Sequence, residues 1–139
     1  MPLNTQVSNS AAAAEANAFG ALLNGGFIDI YDGAQPATAD TAVAAQVKGV
    51  RLTLNATAFA TSTNGVLTAN AITSGVASAT INPATWFRCL KSDGTTVVMD
   101  GTVGTSAANI ILPSVAINSG VTVGCSAFTH TINKATAGL

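Results

Sequence analysis

The feature that most constrains the fold of this chain is a hairpin signal in the segment 84–112, which holds its only tryptophan and four of its eleven charged side chains. Residues 85–91 (Thr-Trp-Phe-Arg-Cys-Leu-Lys) are a β-branched and aromatic run of strand length. The Asp93-Gly94 pair favours a tight turn, because glycine accepts a positive φ and the aspartate side chain bonds the backbone ahead of it. With a second strand at 96–99, the sequence predicts a β-hairpin.

A second Asp-Gly pair, Asp100-Gly101, follows directly and predicts another turn, toward a strand at 110–112. The whole segment is therefore predicted to form a three-stranded meander. The residues predicted to contribute to the core are Trp86, Phe87, Leu90 and Val98.

Short strand-like runs recur along the chain, as at 27–31 and 50–54, and are separated by glycine-containing turns. Residues 121–132 alternate over a long span and predict one long strand across a sheet. This pattern is typical of a mainly β protein, an antiparallel β-sandwich with jelly-roll-like connectivity; a β-barrel is the alternative. We expect one domain, residues 1–139, with an N-terminal arm and one short helix in about residues 1–25.

The helix is predicted from an alanine-rich run at 11–23, capped by Ser8 or Ser10 and stopped by Asn-Gly-Gly at 24–26. Residues 1–7 have no period and are predicted to be an extended docking arm. Three- and four-residue spacing predicts one apolar stripe that packs on the sheet or on a neighbouring subunit. The stripe comprises Phe19, Leu22 and Leu23.

Charge narrows the class of partner. Only 8% of the residues are charged, against roughly 25% in ordinary soluble proteins. A net charge of -1 gives no attraction for a phosphate backbone, so nucleic acid is not expected as a partner. A surface this poor in charge has little colloidal repulsion, which predicts a protein that works in contact with other protein.

The sequence supports no membrane, cofactor or metal assignment. No apolar run reaches the length of about 18 residues that a membrane span needs, and the N-terminus lacks the pattern of a signal peptide. Cys89 and Cys125 have no CxxC spacing and are predicted to be reduced, buried residues. The Asp-Gly pairs do not match a calcium-binding loop, which needs several alternating oxygen donors and a closing glutamate.

No enzyme class is supported either. The only histidine, His130, has threonine on both sides and is predicted to be a surface or structural residue. Asp-Gly placement explains three of the six acids as turn formers, and nothing holds two acids together on a rigid face. We expect a non-enzymatic protein, and a small hydrolase centred on His130 is the least favoured alternative.

Two arginines, Arg51 and Arg88, interrupt strands that otherwise consist of apolar and hydroxyl residues. An outward-facing strand position is the simpler interpretation, and an ion pair with another subunit or with a shell is the alternative. The candidate partner contacts are Arg51, Arg88, Phe19 and Leu22.

This chain contains two specific sequence patterns: a strand ending in Tyr-Asp-Gly leads into a Pro-Ala-Thr-Ala-Asp loop, and a Thr-Trp-Phe-Arg strand precedes Asp-Gly. With these patterns the chain resembles small structural proteins of tailed bacteriophages. The resemblance covers most of the chain, from the helix to Phe128. The segments that carry it are 27–40, 50–54, 65–72, 84–88 and 92–95.

This resemblance implies a non-enzymatic virion component, a cement or decoration protein that binds the major capsid protein on the capsid exterior. It implies synthesis in the cytoplasm of a bacterial host and no catalytic residues. We expect a small homo-oligomer, a dimer or a trimer. The alternative is a phage tail or fibre module that binds host-surface glycan through exposed Tyr31 and Trp86.

Overall fold

The computed structural model describes residues 3–135. It confirms the predicted class, because the described part is mainly β with one short helix and is consistent with a β-sandwich. The elements are α1 (Asn9–Ala21), β1 (Phe27–Tyr31), β2 (Lys48–Thr53), β3 (Val66–Thr68), β4 (Gly75–Val76), β5 (Trp86–Leu90), β6 (Val97–Gly104), β7 (Ile110–Ile111), β8 (Thr122–Val123) and β9 (Ala127–Thr131).

Seven strands form one sheet in the order β2-β1-β5-β6-β7-β9-β3, and β4 pairs with β8 in a small second sheet. The strand pairs are antiparallel except β6 and β7, which run parallel. Bridges between Thr53 and Thr73 and between Phe59 and Ala69 flank the two outermost strands, β2 and β3. The strands within residues 3–135 do not close into a barrel, so the barrel alternative is wrong.

The predicted hairpin is present as β5 and β6. At its turn Gly94 has φ +74°, and the Gly94 amide donates to the Lys91 carbonyl at 2.9 Å. The Asp93 carboxylate accepts the amides of Thr95 and Thr96 at 2.9 and 2.8 Å and also the Thr96 hydroxyl. The local chemistry of an Asp-Gly turn is therefore sufficient to place this hairpin.

The turn predicted at Asp100-Gly101 is wrong, because β6 continues through both residues to Gly104. A Cβ at Gly101 would lie 2.6 Å from the Phe87 ring. Glycine is needed here because an aromatic ring from the neighbouring strand packs against its backbone, and the chain does not turn.

The predicted meander is wrong as well, since β7 runs parallel to β6, with Ile110 opposite Val103. In the short loop between these strands Ala107 has φ +50°. The Asn109 side-chain oxygen accepts the Thr102 amide and hydroxyl, each at 3.1 Å, which holds the loop against β6.

The main core lies on one face of the sheet, the inner face. Phe87 and Cys89 of β5 point into it, and the Phe128 ring meets the edges of Phe87 and Phe59 at 5.3 Å. Because successive strand residues alternate, Trp86 and Leu90 lie on the opposite, outer face. Both are also buried, so β5 is covered on its two faces, whereas Val98 of β6 is only partly buried.

Helix α1 is confirmed together with its Ser8 cap, whose hydroxyl accepts the Ala11 amide at 3.1 Å. The predicted stripe does not pack on the sheet as one face: Leu22 is 45% exposed, Phe19 is half-buried, and the buried Leu23 lies beyond the helix end. A close approach explains the difference, since a Cβ at Gly20 would lie 3.3 Å from Phe59. Only small side chains fit beneath the helix: Ala12, Ala13, Ala16 and Gly20.

The long strand predicted at 121–132 is divided. β8 belongs to the small sheet and β9 to the main sheet, with residues 124–126 between them. At the other end of the chain, the predicted docking arm lies against its own C-terminal segment in the residues that are described. Gln6 bridges Ala135, and the Val7 amide donates to the Lys134 carbonyl at 2.8 Å.

Candidate functional site

Four charged residues form a cross-strand row on the outer face, which we call the charge row. Arg51 of β2 lies opposite Asp29 of β1, Asp29 lies opposite Arg88 of β5, and Arg88 lies opposite Asp100 of β6. Opposite charges therefore alternate across four neighbouring strands. Facing residues of an antiparallel pair are close enough to interact, so the strand register itself brings these charges together.

Arg88 and Asp100 are the buried end of the charge row. The guanidinium makes a two-point contact with the carboxylate, Nε to Oδ1 at 2.7 Å and Nη2 to Oδ2 at 2.8 Å. The two side chains are 6% and 3% exposed. Arg88 Nη2 also donates to the Thr41 carbonyl at 2.8 Å. The hydrogen bond to Asp100 is the main cause that raises the pKa of Arg88 above its ordinary value.

Arg51 and Asp29 are the more open end. Arg51 donates to both oxygens of Asp29, at 2.6 and 2.8 Å, and to the Gly94 carbonyl at 3.2 Å. The Arg51 guanidinium also lies over the Phe27 ring, 4.9 Å from its centroid. Lys48 Nζ lies 3.8 Å from Asp29 as well. The hydrogen bond to Asp29 is the main cause that raises the pKa of Arg51.

The structure therefore changes the interpretation of both arginines. Each pairs with an aspartate of its own chain, and Arg88 is buried, so the outward-facing position expected for Arg88 is wrong. Asp29 and Asp100 are the partners that sequence reasoning missed. A charged residue between two isoleucines, as at Asp29, was the available signal for a buried partner.

Tyr31 and Trp86 stack beside the charge row, with ring centroids 4.6 Å apart and an interplanar angle of 13°. Trp86 Nε1 donates to the Asp32 carbonyl at 2.9 Å. Tyr31 is 9% exposed and Trp86 is fully buried, and burial raises the pKa of the Tyr31 hydroxyl. The exposed aromatic pair expected for glycan binding is therefore absent from the described surface.

The histidine and the two cysteines, the other residues considered for catalysis or metal binding, lie in packed surroundings. The His130 ring lies 4.9 Å from the half-buried Phe19 ring, and desolvation by burial lowers the pKa of His130. Cys89 is buried and Cys125 half-buried, and both are free thiols. Between residues 3 and 135 no three His, Cys, Asp or Glu side chains are placed to hold a metal ion. The same residues contain no helix that is long and apolar enough to cross a membrane.

The exposed surface differs from the surface of an ordinary domain by its low charge. All eleven charged side chains lie in the described residues, and five of them form the three ion pairs there. The paired residues are Asp29, Lys48, Arg51, Arg88 and Asp100. Large apolar side chains are exposed instead: Leu3, Leu22, Val47, Val66, Val76, Val97 and Val121. Four of these valines, at 66, 76, 97 and 121, carried no sequence signal of exposure, because they lie in runs that the sequence predicts to be strands.

Comparison of the chain with protein-family models, with curated proteins and with solved structures finds no match.

Proposed function

We propose that this chain is a non-enzymatic structural protein of a tailed-bacteriophage particle. It is a cement or decoration protein that binds the major capsid protein on the outer surface of the shell and stabilises it. It acts as a small homo-oligomer, a dimer or a trimer, with its N-terminal arm or helix joining subunits or gripping the shell. The residue patterns that resemble small phage structural proteins motivate the choice of particle.

The observation that carries the proposal is that the surface bears few charges, because several of the charged groups are buried and paired inside the chain. The carboxylates of Asp29 and Asp100 and the guanidinium of Arg88 are nearly fully buried and paired inside the chain. Burying a charged group at an interface has a large desolvation cost unless it is paired there. A surface with few charges lowers that cost, so it favours close contact with another protein that responds weakly to salt.

A cement protein also needs several contacts with the shell. The exposed apolar residues belong to different elements: Leu22 lies at the end of the helix, Val76 lies in β4 of the small sheet, and Val121 precedes β8 of the same sheet. Each such contact is weak, but two or more contacts held by one oligomer on a regular shell reinforce one another through effective concentration. Weak single contacts are therefore sufficient for firm attachment.

The test uses capsids of the phage that encodes the chain, prepared without it. Purified chain is added back, and co-sedimentation and resistance to heat and to low salt are measured. We expect the chain to sediment with the capsids, to restore their resistance, and to remain bound as salt is raised. Capsids that are equally resistant without the chain would contradict the cementing role.

Two exposed positions provide matched variants for this assay. Val76→Lys and Leu22→Lys each add a charge to an exposed apolar position, 65% and 45% exposed respectively. Val76→Ala and Leu22→Ala remove the same side chain without adding charge and serve as controls. We expect the lysine variant on the contact face to weaken attachment more than its alanine control. Equal attachment of all four variants would place the shell contact elsewhere.

A further inference from the structure

The chain contains two Asn-Gly pairs, Asn24-Gly25 and Asn64-Gly65. Such pairs are the most prone to deamidation, because glycine has no side chain to hinder attack by its backbone nitrogen on the asparagine side chain. The two pairs have the same chemistry in an unfolded chain. In the folded chain their hydrogen bonds differ, and this difference separates them.

Asn24 is held away from the reaction. Its side-chain oxygen accepts the Ala58 amide at 2.9 Å, which directs the carboxamide toward another segment. The Gly25 amide donates to the Asn55 carbonyl at 2.9 Å. Both reacting groups of this pair are therefore bonded to one remote segment, residues 55–58.

Asn64 is arranged differently. Its side-chain oxygen accepts the Val66 amide, two residues ahead, at 3.1 Å, so the carboxamide folds over its own Asn64-Gly65 peptide. The Gly65 amide donates to the hydroxyl oxygen of Ser62 at 2.9 Å. Asn64 and Asn24 are both exposed, so water reaches both side chains and the hydrogen bonds alone separate the two pairs.

Both pairs have a donor at the asparagine oxygen and an acceptor at the glycine N–H, but only at Asn64 is that acceptor a hydroxyl, which can pass a proton on. A donor at the Asn64 oxygen stabilises the negative charge that develops there when the carbonyl carbon is attacked. An acceptor at the Gly65 N–H weakens that bond and receives its proton. Ser62 is held in place by helix α1, since Asn17 accepts the Ser62 amide at 2.8 Å and donates to the Ser62 carbonyl at 3.2 Å.

We propose that Asn64 is a site of spontaneous modification, which deamidates in the folded chain with Ser62 as the proton acceptor, whereas Asn24 is protected. The Gly65 nitrogen forms a bond to Cγ of Asn64, and the bond from Cγ to the side-chain nitrogen breaks. The proton passes through the Ser62 hydroxyl to that nitrogen, which leaves as ammonia. Water then opens the resulting succinimide to aspartate or isoaspartate, with no oxidation or reduction.

The product changes a surface that otherwise carries few charges. The net charge of each chain goes from -1 to -2, with the new carboxylate beside Val66, which is 38% exposed. An isoaspartate would also lengthen the backbone next to Gly65, where a Cβ would already lie 2.9 Å from Ala12. Deamidated chains are therefore expected to accumulate with time, and this expectation does not rest on the proposed function.

The experiment incubates the folded chain at mildly alkaline pH and follows the amide-to-acid mass change at both pairs by peptide mass spectrometry. We expect the deamidation rate of Asn64 to exceed that of Asn24 by a factor of at least about ten. In denaturing urea the two rates should become similar. A rate at Asn64 equal to or below the rate at Asn24 in the folded chain would overturn the proposal.

Ser62→Ala tests the acceptor. We expect the rate at Asn64 to fall in this variant while the rate at Asn24 stays unchanged, with the fold checked by circular dichroism. A faster reaction at Asn64 alone would show that Ser62 restrains the loop, and would overturn its assigned role. If the variant loosens the fold, the rate at Asn24 rises too, and the comparison of the two pairs in the unmodified chain then decides.

Discussion

At the scale of single residues, the buried ion pair of Arg88 and Asp100 is the interaction whose loss we expect to destabilise the fold most. Its two side chains are 6% and 3% exposed, and removal of one partner leaves the other charge buried and unpaired. We predict that Arg88→Ala lowers the free energy of unfolding by about 3–5 kcal/mol. Urea unfolding followed by tryptophan fluorescence measures this loss.

Arg51→Ala is the matched control for that variant. Arg51 is 34% exposed, and in the unmodified chain Lys48 Nζ lies 3.8 Å from Asp29. A smaller loss is expected, because removal of the more exposed Arg51 opens the Asp29 carboxylate to water and leaves Lys48 beside it. Equal losses for the two variants would contradict the distinction between the buried and the open end of the charge row.

Trp86 connects the outer face of the sheet to the loop that follows β1. Its ring is fully buried against Tyr31, and its N–H is bonded to the Asp32 carbonyl. We predict that Trp86→Ala costs about 3–5 kcal/mol of unfolding free energy. Val76→Ala, at an exposed position, should cost less than about 0.5 kcal/mol. A loss below about 1 kcal/mol for Trp86→Ala would mean that the hairpin is peripheral to stability.

At the scale of elements, the Asp93 turn of the β5–β6 hairpin makes stability depend on pH. The Thr96 hydroxyl, followed by the Thr96 and Thr95 amides, lowers the pKa of Asp93 from 3.8 to about 2. Because the folded pKa lies below the unfolded value, the contribution is fully present above about pH 4 and is lost as pH falls through about 2.

NMR titration of the Asp93 carboxyl measures this pKa directly. Asp93→Asn keeps an oxygen that can accept the two amides but cannot ionise, so the variant should lose this component of the acid dependence. An ordinary pKa for Asp93, near 3.8, would contradict the bonding described for the turn.

Local chemistry predicted the elements whose signals are local. Ser8 and the Asn-Gly-Gly stop bounded the helix, and Asp93-Gly94 placed the hairpin turn, because caps and turns depend on a few adjacent residues. Asp100-Gly101 carries the same dipeptide but lies inside β6, where Arg88 and Phe87 pack against it. Those partners lie on another strand, so no local signal identifies them.

At the scale of the whole molecule, the class of fold was predictable and its connections were not. Regular short strands with glycine turns indicated a mainly β chain, and the structure confirms this. The parallel pairing of β6 with β7 occurs together with the Asn109 contact with Thr102, between residues that carry no joint signal in the sequence. The division of residues 121–132 between two sheets depends on which neighbours each half meets. Neither the pairing of β6 with β7 nor this division can be predicted from the alternation of apolar and polar residues alone.

The two thiols report on the cooperativity of this fold. Cys89 is fully buried between β1 and β6, and burial raises its pKa well above the ordinary value; Cys125 is half-buried, and burial raises its pKa too. We predict that a thiol reagent labels Cys125 first and reaches Cys89 only as the chain unfolds globally. A Cys125→Ser variant isolates the slower reaction. Labelling of Cys89 in native buffer at the rate of Cys125 would show that the central strands open locally.

The proposed role depends on a charge-poor surface that meets a shell, and one measurement tests this most directly. Reconstructions by electron microscopy of the phage particle proposed to carry this chain, with and without the chain, would show where the chain lies. The role predicts a difference density of β-rich subunits grouped as dimers or trimers on the outside of the capsid. Difference density confined to the tail, or none at all, would contradict it.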